Sequence, residues 1–223
     1  MPASNIPYRE AGSAPPFRAI IFDLGGVVLG SPLQVFAAFE QELGLVAGAL
    51  NRMIVANGPA GAWQRLERGE VAMDEFVVAL DAEFAAIGAR VSTSLLMQRI
   101  AMASQPRPAM VEAIRRLRAN GLLTAALTNN WVSEDQAGKM GLLRPEFDVF
   151  IESAREGMRK PDPRIYQLAC ARLGIEPVQA VFLDDIGANL KSARALGMAT
   201  IKVVDELEAL RELEALVDLR LST

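Results

Sequence analysis

Five side chains able to handle an anion stand at or just beyond the ends of apolar runs: Asp23, Thr128, Lys160 and the adjacent pair Asp184-Asp185. Asp23 closes Ala19-Ile20-Ile21-Phe22 and is followed by Leu24-Gly25-Gly26. A carboxylate at the end of a buried strand is thus followed by a turn without side chains, where a ligand can come close to the backbone. Asp23 is the candidate nucleophile, and Gly26 a candidate point of approach for phosphate. Thr128 and Asn129 close the run 122–127, and a hydroxyl and an amide there can donate to phosphate oxygens, although both residues are also common in turns. Lys160 lies in Gly157-Met158-Arg159-Lys160-Pro161-Asp162-Pro163, before a proline that restricts its backbone, and can point at a bound anion or simply into solvent. Asp184 and Asp185 end Ala180-Val181-Phe182-Leu183, where two adjacent acids repel unless a cation or a donor offsets them. Taken together, these groups are a nucleophile, a neutral donor, a cation and a pair of hard oxygen ligands. Mg²⁺-assisted phosphoryl transfer needs that set.

The elements that must position them read as an α/β fold with a Rossmann-like parallel sheet. Short apolar runs predict strands at 18–23, 122–128, 148–152, 180–184 and 200–204. After residue 106 they alternate with helical patterns at 108–120, 163–173, 188–196 and 206–219, which argues for a sheet covered by helices. Asp162 as N-cap before Pro163, and Gly121, Gly174 and Gly197 as stops, punctuate these helices. The stretch between the first and second strands is far longer than a crossover requires. It has helical patterns at 35–43, 74–85 and 94–102 and no convincing strand, so residues 31–106 read as an inserted helical cap over the carboxyl ends of the strands. Residues 18–30 and 107–223 form the core, and residues 1–17 a flexible tail.

Composition narrows the chemistry. The 223 residues contain no histidine, which excludes Ser-His-Asp and Cys-His systems, a histidine general base and histidine-ligated zinc. The single cysteine, Cys170, excludes an internal disulfide and reads as a buried small apolar residue. A formal charge of −4 without a basic run speaks against nucleic acid, and no apolar run or leader pattern indicates a membrane span or secretion. The expectation is a cytoplasmic protein with a small phosphorylated substrate; its oligomeric state cannot be read.

Order and spacing of these motifs resemble the haloacid dehalogenase superfamily over nearly the whole chain. Leu127-Thr128-Asn129-Asn130-Trp131, Gly157-Met158-Arg159-Lys160-Pro161 and Phe182-Leu183-Asp184-Asp185-Ile186-Gly187-Ala188-Asn189-Leu190-Lys191 resemble most the amino-terminal phosphatase domain of soluble epoxide hydrolase and relatives fused to acyl-CoA dehydrogenases. The resemblance implies that Asp23 forms an aspartyl-phosphate and binds Mg²⁺, that Thr128 and Asn129 hold the phosphate, and that Lys160 offsets charge. It further implies that Asp185, with Asp184 beside it, ligates the metal together with the Gly25 carbonyl, and that Asn189 steadies the acidic loop.

The chain departs from the family's phosphatases at Gly25, where an aspartate usually protonates the leaving group and later activates water. General acid–base assistance is typically worth about 10² to 10⁴ in rate. Three outcomes stay open: hydrolysis of phosphates with good leaving groups, another group acting as donor, or a site that binds phosphate without turning over; dehalogenation, for which a halide needs no proton, is the competing enzyme reading. Glu67, Glu70 and Asp74 lie in the cap as conceivable replacements. Trp63, Arg65 and Arg68 either face the site or, respectively, fill the cap core and point to water.

Overall fold

The computed structural model describes residues 17–132 and 134–221. The expected tail lies outside them except for Phe17, which is buried in the core. Five parallel strands, β1 (Ala19–Phe22), β2 (Leu123–Thr128), β3 (Val149–Glu152), β4 (Ala180–Asp184) and β5 (Ala199–Lys202), form one sheet in the order β3-β2-β1-β4-β5. Ile21 pairs with Ala125 on one side and Phe182 on the other, so β1 is central and its end lies between those of β2 and β4. Side chains of a strand alternate between faces. Ile20 and Phe22 accordingly join one apolar cluster, with Met110, Ile114 and Leu210, while Ala19 and Ile21 join another, with Ile165, Tyr166 and Ala169. Burial on both faces explains why these strands are continuously apolar.

Between β1 and β2 run α1 (Pro32–Glu42), α2 (Ala49–Ala56), α3 (Ala62–Glu67), α4 (Met73–Ala86) and α5 (Thr93–Ala103). They share an apolar cluster of their own, including Phe36, Phe39, Leu50, Phe76, Leu80, Phe84 and Leu96. The segments that enter and leave this insert lie side by side: Gly30 N donates to Gln105 O at 3.1 Å and Arg107 N to Val28 O at 2.8 Å. A Cβ at position 30 would meet the Ala103 carbonyl at 2.1 Å, so glycine permits that contact. The rest of the chain supplies α6 (Pro108–Ala119), α7 (Glu134–Leu143), α8 (Ser153–Glu156), α9 (Pro163–Leu173), α10 (Gly187–Ala195) and α11 (Glu206–Val217).

The helices α2 and α3 were not expected, and their caps explain why. Ahead of α2 sits Gly48 with φ +78°, and the N–H groups of Gly48 and Leu50 are taken by the Glu40 carboxylate at 2.5 and 2.8 Å. The Ala62 N–H of α3 is taken by Glu83 from α4 at 2.8 Å. Neither cap is local in sequence, so no Ser, Thr, Asp or Asn marks these starts.

Candidate active site

The ends of β1 and β4 meet through one lysine. Lys160, in the loop before α9, is completely buried, and its Nζ lies 2.8 Å from Asp23 Oδ1 and 2.7 Å from Asp184 Oδ2. Burial works against the lysine's charge, but Asp184 and Asp23 raise its pKa above the ordinary value. The alternative of a solvated lysine is thereby removed. Asp23 is 6% exposed, and its Oδ1 also accepts from Leu24 N at 2.7 Å, so Oδ2 is the oxygen not engaged by these donors. Burial lifts the Asp23 carboxyl well above the usual range; Lys160 opposes this, and Asp184 and Asp185 add to it.

The two adjacent acids differ. Asp184 is fully enclosed: it accepts from Lys160 Nζ, from Asn189 Nδ2 at 3.1 and 3.0 Å, and from Ile186 N at 2.7 Å. Asn189 is held in turn, its carbonyl accepting from the buried Tyr166 hydroxyl at 3.0 Å. Asp185 Oδ2 has a 3.4 Å contact from Ser31 Oγ, and Oδ1 is buried without a hydrogen-bond partner among the described residues. Burial, then Asp184, push its carboxyl up to about 6. One oxygen each of Asp23, Asp184 and Asp185 lie within 4.8 Å of one another. An orphaned oxygen among three crowded carboxylates, offset by a single lysine, is the donor set of a hard cation.

The two glycines of the turn have separate duties. Gly26 has φ +82°, and a Cβ there would lie 2.1 Å from Asp185 Oδ2. Its bareness makes room for the acid, and it does not line the cavity above the site. A Cβ at Gly25 would meet Pro32 Cδ at 3.4 Å, an ordinary contact. Asn129 is likewise drawn elsewhere: its Nδ2 donates to Lys160 O at 3.0 Å and its Oδ1 accepts from Lys160 N at 2.8 Å. The Asn129 amide, expected on phosphate, therefore clamps the backbone that carries Lys160. Thr128 is buried at the end of β2, and its hydroxyl has only a 3.5 Å contact to the Asn129 carbonyl.

Asp23, Gly25, Asn129, Lys160, Asp185 and Asn189 line a cavity of about 730 Å³, whereas Thr128, Gly26 and Asp184 lie outside its wall. Apolar side chains make up much of the rest of the lining, with Leu33, Phe36, Ile54, Val55 and Trp63 from the insert and Trp131 and Met158 from the core. Trp63 satisfies both alternatives, since it belongs to the insert's apolar cluster and also lines the cavity. Arg65 is exposed toward Glu70 and Glu75, while Arg68 reaches the wall but is closed on Glu70. Of Glu67, Glu70 and Asp74 only Glu67 lines the cavity. Reasoning from sequence missed Arg159, its partner, because an arginine beside a motif lysine has no local signal; only the fold brings α3 across to it.

A parallel sheet with an acidic cluster at its central strand ends and a helical insert after β1 defines a hydrolase of the haloacid dehalogenase type. The sequence pattern of haloacid dehalogenase-like hydrolases matches residues 17–197, and the chain belongs to that family. It is 40% identical over 204 residues to mouse acyl-CoA dehydrogenase family member 10, covering 90% of this chain and 19% of that protein. With pig bifunctional epoxide hydrolase 2 it shares 38% identity over 218 residues, covering 92% of this chain and 39% of the relative. The chain thus spans only a minor part of these longer proteins. A solved dehalogenase with an intermediate complex superposes with a TM-score of 0.65 at 23% identity, covering 92% of this chain and 99% of that one. Relatives named as phosphatases and as haloacid dehalogenases both occur, so the fold alone does not choose the reaction.

Proposed function

We propose that the protein is a Mg²⁺-dependent phosphatase that acts on a small organic phosphate through a phosphoryl intermediate on Asp23. The observation that carries this reading is the orphaned Asp185 oxygen beside Asp23, a metal-ligand arrangement that displacement of halide does not need. The residues to hold the ion are Asp23, Asp185 and the Gly25 carbonyl, with Asp184 tied to Lys160 and Asn189. Bound there, Mg²⁺ would neutralise charge on the transferring oxygens.

The remaining steps belong to the chain. Asp23 Oδ2 attacks phosphorus; the ester P–O bond breaks and its electron pair leaves with the ester oxygen. Lys160 keeps Asp23 Oδ1 in place and offsets charge, and the Thr128 hydroxyl and the Asn129 main chain hold phosphate oxygens. Water then cleaves the acyl phosphate and returns phosphate and the free carboxylate. Gly25 offers no proton in either half, so the leaving oxygen must be a weak base or take its proton from solvent. In this reading residues 31–106 form the cap that selects the substrate, and the apolar wall suits an ester with an apolar body.

A screen of phosphate monoesters with and without Mg²⁺, reading inorganic phosphate, tests the proposal. Release that requires Mg²⁺ and is lost in Asp23→Asn is expected. Metal-independent halide release from 2-haloacids, without phosphate release from any ester, would overturn it.

A further inference from the structure

One buried ion pair joins the insert to the segment that carries Lys160. Glu67, the last residue of α3, is only 6% exposed; its Oε1 accepts from Trp63 Nε1 at 2.9 Å and its Oε2 from Arg159 Nε at 2.5 Å. Trp63 takes one carboxylate oxygen, so Arg159 is held through Nε alone. Its two terminal nitrogens meet no acceptor among the described residues.

The other cations of the cavity wall are occupied differently. Lys160 is divided between Asp23 and Asp184. Arg68 closes side-on over both oxygens of Glu70 and also donates to the Pro59 carbonyl, and Arg164 closes side-on over Asp162. Away from the cavity wall, Arg172 likewise engages both oxygens of Glu156. Arg159 instead keeps an end-on edge of two parallel N–H donors, fixed in direction by a buried carboxylate. Such an edge matches a planar oxyanion.

We propose that Arg159, aimed by Glu67, binds a carboxylate on the substrate beside the phosphate ester, so that the site prefers phosphorylated hydroxy acids to plain alkyl phosphates. The inference rests on the phosphatase reading and deepens it. The carboxylate sits toward α3, on the leaving-group side of the cavity, and the apolar wall takes the rest of that group. Glu67 is a positioning residue, while Arg159 touches the substrate.

The test pairs benzyl phosphate with O-phosphomandelate, which differ by one carboxylate on the carbon that bears the ester. With Mg²⁺, the wild type is expected to favour O-phosphomandelate at least tenfold in kcat/KM, chiefly through KM. Arg159→Lys keeps the charge facing Glu67 but loses the fork, and should bring the ratio close to one. Calorimetry with mandelate and benzyl alcohol, in Mg²⁺ and inorganic phosphate, reads the same subsite without turnover. Mandelate should bind at least tenfold more tightly than benzyl alcohol, and Arg159→Lys should erase the difference. If neither ester is hydrolysed, as the missing donor at Gly25 allows for alkoxide leaving groups, mandelate binding alone decides this inference, and the phosphatase reading is judged separately on esters with weakly basic leaving groups. A wild-type kcat/KM ratio near one, equal binding of mandelate and benzyl alcohol, or a preference that survives in Arg159→Lys overturns it.

Discussion

At the scale of residues, the site turns on which carboxylate oxygens already have partners. Asp23 Oδ1 is held by Lys160 and Leu24, so in the proposed reaction Oδ2 is the attacking oxygen. Asp23→Asn should retain the fold, because the amide is isosteric, and should abolish metal-dependent phosphate release; beryllofluoride trapped on Asp23 in the wild type would mark the same atom. Turnover of the asparagine variant at the wild-type rate would rule the nucleophile out. Gly25 carries a second prediction. Since a Cβ there meets only Pro32 at 3.4 Å, Gly25→Asp is sterically admissible and should raise turnover of alkyl phosphates by about 10² or more, while aryl phosphates gain less. Rates on a series of leaving groups would show this as a flattened dependence on leaving-group pKa. A wild-type series already flat, with chemistry rate-limiting, would mean that another group supplies the proton.

At the scale of elements, local punctuation decided what could be read. With Asp162 as N-cap and Gly174 as stop, α9 was legible to the residue, and α11, opened by Asp205, was legible at its start. The strands were legible because burial on both faces leaves an unbroken apolar run. By contrast α2 and α3 depend on Glu40 and Glu83, eight or more residues away, and no local pattern announces them. The same logic divided the site: Asp23, Lys160, Asp184 and Asp185 were visible as types at strand ends, but the turning of Asn129 toward Lys160 and of Glu67 toward Arg159 exists only once segments far apart in the chain meet. Another such link joins β2 to β3. Asp148 accepts from Thr124 N and Oγ1 at 2.8 and 3.1 Å and from Arg118 at 2.9 Å. Burial acts to raise its carboxyl, but these donors outweigh it and hold the group below its ordinary value. A depressed carboxyl contributes stability above its unfolded pKa, near 3.9, and loses it as pH falls through the folded value. Asp148→Asn should therefore lower unfolding free energy by about 1 kcal/mol at pH 7, with the gap to wild type closing below about pH 4. Equal urea midpoints at pH 7 would sink this account.

At the scale of the whole molecule, the fold gathers three carboxylates from two neighbouring strand ends and offsets them with one buried lysine, a concentration of charge that costs stability while no cation is present. Asp185 bears that cost most plainly, since burial and Asp184 both push its carboxyl up. Two opposite effects should follow from Asp185→Asn. Without metal, at pH 8, the variant should melt no lower than wild type, because a repelled charge has been removed. With Mg²⁺ at a hundred times its dissociation constant the wild type should gain about 2.7 kcal/mol through binding to the native state, a rise of several degrees in Tm, and the variant should gain little. Differential scanning calorimetry over a Mg²⁺ series, with and without chelator, reads both effects apart from catalysis. An equal Mg²⁺-dependent rise in the two proteins would place the ion elsewhere; a variant that melts well below metal-free wild type would mean that the Asp185 carboxylate holds the turn by its contact with Ser31, and the metal site would then lose its strongest physical argument.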